Sequence, residues 1–265
     1  MGDARRIDRV APVLAGAALV LWTAGTVPRS ARAEEADEDE GGSPVTYALE
    51  ADFVTQYLWH GLASTKGAAM QPWASVSAFG ATAWVWTNLV LDREDYQGQI
   101  TEVDVGASYE YGFDYVAIAG SLQAWTYPDI PDSPPTGQAE VTVSAPFGPF
   151  SAYTTQAVDI GSYAGAWYGE LGLTFDYEVE SGPSIAAAAY TGWASDKFND
   201  TYIGVAQTAW NLVGARLSLS YYFWDWLYLR PHADVTYLLD ADLRAAVDEP
   251  FLVVGGIALG TEGPP

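Results

Sequence analysis

The stretch 227-LYLRPHADVTYLL-239 carries a polar or ionisable side chain at every second position of an otherwise apolar run. Arg230, His232 and Asp234 occupy one set of alternate positions, and apolar side chains such as Ala233 and Val235 occupy the other. Successive side chains of a β-strand point to opposite faces, so this pattern predicts one strand with an apolar face and an ionisable face. The fold must therefore offer this strand an apolar environment on one side and a polar environment on the other.

Composition limits the class of protein. The chain has 265 residues, of which 49% are hydrophobic and 14% aromatic, enough for one large all-β domain or two small ones. Cysteine is absent, which fits an envelope protein without disulfides or thiolate-bound metal. The formal net charge is −23, a field that repels nucleic acid and attracts cations. No nucleic-acid partner is therefore expected.

Residues 1–33 predict a secretory signal peptide. Arg5, Arg6 and Arg9 precede the apolar run 10-VAPVLAGAALVLWTAGTV-27, and 30-SARA-33 provides small residues at a cleavage site. A retained membrane anchor is the alternative, which the short, Gly/Ala-rich run disfavours. The following segment, 34-EEADEDEGGSP-44, predicts an acidic disordered leader. We therefore expect an exported protein cleaved after Ala33.

The rest of the chain divides into short segments without a long helical period. Short links such as 79–81 and 147–149 mostly alternate with longer polar ones such as 128–138 and 196–202, as in outer-membrane barrels. The sequence thus predicts an all-β fold, a transmembrane antiparallel up-and-down β-barrel of about twelve strands over residues 45–260, with 261–265 as a short tail. The candidate strands lie near residues 45–59, 70–80, 82–92, 100–112, 115–127, 136–146, 149–160, 166–178, 184–195, 210–223, 226–239 and 249–260.

Aromatic residues near the strand ends predict two girdles at the membrane interfaces. A soluble β-sandwich is the alternative, but it would have to cover an acidic face opposite each apolar one. The loop-end girdle would contain Trp59, Trp125, Trp193 and Tyr237, and the turn-end girdle would contain Phe79, Tyr111, Phe113, Phe147, Tyr177, Phe223, Trp224 and Trp226.

In a membrane barrel the apolar row of each strand faces lipid and the polar row faces the lumen. This phase argument predicts an acidic lumen with a few basic residues, typical of a small passive channel that prefers cations. The candidate lumen-lining residues are Glu50, Asp52, Gln56, His60, Glu102, Asp104, Glu110, Glu140, Glu170, Asp176, Arg216, Arg230, His232 and Asp234.

Two other functions stay open at this point. An outer-membrane acyl hydrolase or transferase could use His232 and Asp234, with Ser218 or Ser220 as nucleophile. A closed structural or adhesive barrel is also possible, since twelve strands lie between barrels filled by side chains and barrels with a channel. The chain contains no nucleophile elbow, zinc-ligand spacing or phosphate loop, so no catalytic residue, cofactor or metal is predicted.

The runs 51–79, 84–92, 101–112 and 235–244 resemble the porin family known as TorF-type and related outer-membrane β-barrel proteins. Family members show a Y-x-W-R-G strand followed by Gln-Pro, and this chain has Tyr57, Trp59, Gly61, Gln71 and Pro72 at the matching positions, with His60 in place of arginine. The resemblance implies transport across the outer membrane of a Gram-negative bacterium. Outer-membrane lipid, small ions or solutes and the barrel-insertion machinery are the implied partners.

The final strand departs from the usual pattern of such barrels, which end on an aromatic residue that resembles a recognition tag for insertion. Here the segment is 249-EPFLVVGGIALGTEGPP-265, and its aromatic residue, Phe251, lies at the opposite end. Either this terminus has diverged or shifted in frame, or insertion relies on internal strands.

Overall fold

The computed structural model describes residues 45–92, 96–180 and 182–263, so the predicted signal peptide and leader lie outside the described residues. The described chain forms fourteen strands and two short helices. The strands are β1 (Val45–Val54), β2 (Tyr57–Trp59), β3 (Leu62–Thr65), β4 (Ala69–Ala78), β5 (Ala81–Val90), β6 (Ile100–Gly112), β7 (Ala117–Thr126), β8 (Thr136–Phe147), β9 (Phe150–Asp159), β10 (Trp167–Glu178), β11 (Ser184–Ala194), β12 (Ala209–Trp224), β13 (Leu227–Leu238) and β14 (Phe251–Gly263), and the helices are α1 (Asp196–Tyr202) and α2 (Ala241–Ala246).

Twelve strands close into an antiparallel barrel in the order β1, β14, β13, β12, β11, β10, β9, β8, β7, β6, β5, β4. The seam between the first and last strands is fully paired, from Tyr47 opposite Gly263 to Val54 opposite Gly256. The predicted twelve-stranded all-β barrel is confirmed. Strand β14 continues to Gly263, so three of the five residues assigned to a tail belong to the barrel wall.

The two ends of the barrel differ. Short connections, such as residues 79–80 and 148–149, lie at one end, here called the turn end, together with both ends of the described barrel segment. Longer connections, such as residues 55–68 and 195–208, lie at the opposite end, here called the loop end. Within the described ranges no helix is long and apolar enough to cross a membrane.

Side-chain alternation separates an apolar exterior from a polar interior. On β13, Tyr228, Arg230 and Asp234 are buried, whereas Val235 and Tyr237 are exposed. Strands of ten residues or more with an apolar outer row have the dimensions of transmembrane β-strands. The interior polar row is where a functional site can lie.

Exposed aromatic side chains encircle the turn end as predicted. Neighbouring rings contact one another on the outer surface, as in the pairs Tyr111–Phe113 and Trp224–Trp226, with centroids 4.9 and 5.7 Å apart. The loop end agrees with the prediction only in part, because Tyr237 is exposed whereas Trp59 and Trp125 are only 2% and 1% exposed and point into the barrel. Their rings pack against other aromatic side chains there, which removes their apolar surface from water.

The first predicted strand is shorter than expected. Its pairing with β4 ends at Val54 opposite Ala69, and residues 55–68 turn inward as the hairpin β2–β3. His60 and Gly61 form its tip with φ of 45° and 80°, the left-handed conformation of tight hairpin turns. Gln56 and His60, predicted on a continuous strand, therefore lie in this inward hairpin.

Candidate functional site in the barrel interior

Ion pairs from β13 to β1 cross the seam of the barrel on its inner face. Arg230 Nη2 lies 2.5 Å from Glu50 Oε2, and the Tyr228 hydroxyl donates to the same oxygen at 2.7 Å. The Arg230 and Glu50 side chains are only 6% and 12% exposed, so the pair is largely shielded from bulk solvent. Such a pair is costly to break, since either partner alone would be a buried charge.

A second group of ion pairs lies nearer the loop end. His232 Nε2 is 2.9 Å from Asp52 Oδ1, and His232 Nδ1 is 3.8 Å from Asp234 Oδ2. The Arg216 Nε donates to Asp234 Oδ1 at 2.7 Å, and the guanidinium lies 4.4 Å from the centre of the Tyr190 ring. His232 and Asp234 of β13 thus form one network with Asp52 of β1 and Arg216 of β12.

Glycines of β14 make this network possible. A Cβ at Gly256 would lie 2.2 Å from His232 Nε2, and one at Gly260 would lie 2.3 Å from the Tyr228 ring. The side chains of β13 therefore pass over β14 to reach β1, through space that a larger residue would occupy.

The opposite wall is acidic. Glu102 and Asp104 on β6 are 2% and 0% exposed and contact each other, and Tyr57 lies beside both. Glu140 on β8 is also buried and accepts from Gln138 at 3.4 Å. Within the described ranges, no ion pair includes Glu102 or Glu140.

The remaining predicted residues lie at different depths. Glu170 is buried and accepts from the hydroxyls of Tyr153 and Tyr168 at 2.7 and 3.2 Å. Asp176 is half-buried on the inner face near the turn end, and Glu110 is exposed there.

Residues 57–62 and helix α1 fill the loop end of the barrel. Trp59 contacts Trp125 of β7 at 6.2 Å between ring centroids, and Phe198 and Tyr202 of α1 at 5.5 and 4.8 Å. His60 stacks on Tyr168 of β10 at 3.7 Å. We call this cluster of Trp59, Trp125, Tyr168, Phe198 and Tyr202 the aromatic plug.

The hairpin also reaches the far wall. A Cβ at Gly61 would lie 2.8 and 3.3 Å from side-chain atoms of Leu212 on β12 and Leu238 on β13. Strands β7 and β13 are six places apart in the closed order of twelve, and so face each other across the barrel. The hairpin and the aromatic plug together therefore span the interior from wall to wall.

A cavity of about 90 Å³ lies between the hairpin and the charged network. Such a volume holds a few water molecules at most. Its lining includes both histidines. Gln56 and His60, which lie in the hairpin, are thus brought close to the lumen residues predicted on the barrel strands. The acidic and basic side chains around the cavity are Asp52, His60, Glu170, Arg216, His232 and Asp234.

The geometry disfavours hydrolytic chemistry at His232. Ser218 lies directly opposite His232 in the β12–β13 register. However, Nε2 of the imidazole is 2.9 Å from Asp52 Oδ1 and Nδ1 is 3.8 Å from Asp234 Oδ2, so both nitrogens face carboxylates. Within the described ranges, no group of three or more His, Asp or Glu side chains is placed to hold a metal ion.

Of the plug residues, the sequence pattern placed Trp59 and Trp125 in an outer girdle and assigned no role to Tyr168, Phe198 or Tyr202. The available signal was the His60-Gly61 pair directly after the run 57-YLW-59, since glycine in the second turn position is typical of a two-residue hairpin. Residues 55–60 also continue the alternating pattern of β1, so the pattern indicated one long strand and not a turn.

No protein-family model matches the chain, and no curated protein matches it either. Among solved structures, the NanC porin is similar with a TM-score of 0.52 at 13% identity, over 82% of this chain and 99% of that one. The KdgM porin is similar with a TM-score of 0.50 at 11% identity, over 81% of this chain and 97% of that one. At these identities the likeness is one of fold, and the chain has the fold of an outer-membrane porin-type β-barrel.

Proposed function

We propose that this protein is a small, passive, porin-like channel in the outer membrane of a Gram-negative bacterium. The observation that carries the proposal is the closed barrel with an apolar outer row and a charged inner row, since such an interior provides a polar path through lipid. The fold shared with the NanC and KdgM porins supports it. Outer-membrane lipid, small ions or solutes, and the insertion machinery are the partners of such a channel, and the TorF-type resemblance is consistent with it.

The proposed channel prefers cations. The interior basic groups Arg216, Arg230 and His232 each have a carboxylate partner, so their positive charge is largely compensated. On the acidic wall, Glu102 and Glu140 take part in none of these ion pairs. Interior carboxyl groups therefore outnumber the basic groups, and where an open, hydrated lumen ionises them their negative field would raise the local concentration of cations.

Conductance in planar lipid bilayers tests the proposal directly. The purified protein should carry current, and in a KCl gradient the reversal potential should have the sign of a cation-selective pore. A pore that prefers anions would contradict the charge argument, and the absence of any current would contradict the channel itself.

A closed structural or adhesive barrel is the second candidate, and the aromatic plug is the observation that favours it. Tightly packed rings across the loop end leave no evident path for a solute in this conformation of the described chain. The same bilayer measurement separates the two functions, because a permanently closed barrel carries no current under any condition.

A further inference from the structure

We propose that the hairpin of residues 55–68 is a displaceable gate, which leaves the lumen when the channel opens. The inference rests on the proposed function, because a channel with a plug across its loop end conducts only if the plug moves. Its own evidence is the way in which the hairpin is attached to the barrel.

The hairpin is a separate unit whose backbone is joined to the wall at its two ends, while Tyr57, Trp59 and Leu62 pack in the interior core. Strands β2 and β3 form their own two-stranded sheet and, among the residues that the structure describes, pair with no strand of the barrel. At the first end, the Thr55 amide donates to Gly255 O at 2.9 Å, and the Gly255 amide donates to Thr55 Oγ1 at 3.1 Å. At the second end, the Ala68 amide donates to Asp92 Oδ1 at 2.7 Å.

Between these anchors the polar contacts with the wall are few. Lys66 Nζ reaches Asp248 Oδ2 at 2.6 Å, but both side chains are exposed, and Tyr57 lies beside Glu102. Exposed ion pairs add little stability. Apolar packing provides the remaining attachment, through ring contacts of Tyr57, Trp59 and His60 and through the buried Leu62 side chain.

The inserted hairpin also buries polar atoms without satisfying them. Trp59 Nε1, His60 Nε2 and Thr65 Oγ1 are buried and have no hydrogen-bond partner within the described ranges. Each of these groups would bond to water if the hairpin left the barrel, so hydration favours the displaced position. The inserted and displaced positions are thereby brought closer in free energy.

A hinge is available at the base of the hairpin. Gly67 has φ of 128°, and a Cβ there would lie 2.3 Å from Asp92 Oδ1, so only glycine fits this conformation. Loop residues that absorb large backbone changes are the usual pivots of gating segments. Movement at Gly67 would swing the hairpin while the Ala68 anchor stays in place.

An engineered disulfide tests whether conduction requires this movement. The chain has no cysteine, and a Cβ at Gly61 would lie 3.5 Å from Leu212 Cβ, within the range that a disulfide spans. The variant G61C/L212C would lock the hairpin tip to β12. The matched control is T142C/T155C, whose parent hydroxyls lie 2.8 Å apart on β8 and β9, so that its disulfide links two wall strands only.

In planar bilayers, oxidised G61C/L212C should carry no current and should regain the current after reduction, while T142C/T155C should conduct in both states. Equal current from oxidised and reduced G61C/L212C would refute the gate and leave the channel proposal standing. The disulfide is confirmed by mass spectrometry, and barrel formation by the change in gel mobility on heating.

A labelling experiment decides the matter independently of conductance and avoids the left-handed position 61. Thr65 in the hairpin and Thr155 in the wall are 5% and 3% exposed, so T65C and T155C start equally buried. A membrane-impermeant maleimide should label folded T65C faster than folded T155C, whether or not current is detected. Equal rates would overturn the displaceable hairpin.

Discussion

His232 on β13 reaches Asp52 on β1 across the intervening strand β14, with 2.9 Å between Nε2 and Oδ1. The contact exists because Gly256 of β14 leaves the necessary space. One glycine thus allows a charged contact to bridge the two strands that close the barrel, and the seam can be tested through that residue.

The variant Gly256→Val should destabilise the barrel. Its Cβ would lie 2.2 Å from His232 Nε2 and 3.1 Å from Asp52 Oδ1, so the pair would separate at a cost of about 3 kcal/mol. The measurement is the urea midpoint of the folded protein in detergent. Gly255→Ala is the control, because a Cβ there meets its nearest neighbour at 4.0 Å, and an equal loss in both variants would contradict the explanation.

The Glu50–Arg230 pair should show strong coupling in a double-mutant cycle. Arg230→Met leaves a buried carboxylate and Glu50→Gln leaves a buried guanidinium, so each single change should cost more than half of the double change. We expect a coupling energy of about 1–3 kcal/mol from chemical denaturation. A value near zero would mean that the 2.5 Å contact adds nothing to closure of the seam.

Helix α1 should depend on a reciprocal amide pair. Asn211 Nδ2 donates to Asn199 Oδ1 at 2.6 Å, and Asn199 Nδ2 donates back at 3.2 Å, with both side chains buried. Asn199→Ala should cost about 1–3 kcal/mol and make residues 195–208 more sensitive to protease. Asp200→Ala on the exposed face of the same helix is the control and should leave the cleavage rate unchanged.

The acidic wall should control selectivity if the barrel conducts. Neutralising Glu102 and Asp104 together, as Glu102→Gln with Asp104→Asn, should move the reversal potential toward zero. Glu110→Gln removes a charge from the exposed turn end of the same strand and should have a smaller effect. The differences in reversal potential between these variants and the unmodified protein should shrink as the salt concentration approaches 1 M, because the Debye length there is only ~3 Å.

Acid should weaken attachment of the hairpin through His60, which lies outside the membrane-spanning strands. Burial, and secondly the charge of Arg216, lower the pKa of His60 from 6.5 to about 3. Displacement exposes the ring to water, so between pH 6.5 and 3 the displaced form binds a proton that the inserted form does not, and inserted stability falls as pH falls. Other ionisable groups face the same cavity, namely Asp52, Glu170, Arg216, His232 and Asp234.

The pH effect is isolated by comparison with His60→Asn, since asparagine accepts a left-handed backbone and does not titrate in this range. Because maleimide reacts with the thiolate, each rate is divided by the rate for the unfolded protein at the same pH. This normalised labelling of T65C should accelerate from pH 7 to pH 4, and adding His60→Asn should flatten that dependence. The same acceleration in both proteins would assign the effect to the other groups around the cavity.

The sequence alone was sufficient for the twelve barrel strands and their two faces, although it extended the first strand through residues 55–59, which belong to the inward hairpin. Alternation with period two is local, so a run such as 227-LYLRPHADVTYLL-239 indicates its inner and outer rows without knowledge of any partner strand. The alternation of short turns and longer loops along the sequence indicated the number of strands and the direction in which each one runs. The turn-end girdle was also predicted from the sequence, because its rings occupy the outward-facing positions of the alternation.

Only the tertiary structure decided what fills the interior. Trp59 and Trp125 lie near strand ends, where an aromatic ring suits an outer girdle and an inner cluster equally well by local pattern. The place of each ring depends on whether residues 55–68 fold into the barrel and meet α1. Helix α1 lies about 140 residues further along the chain, and no local sequence period indicates such a contact. The ion pairs across Gly256 are of the same kind: alternation directs His232 inward, but closure of the barrel brings Asp52 to it.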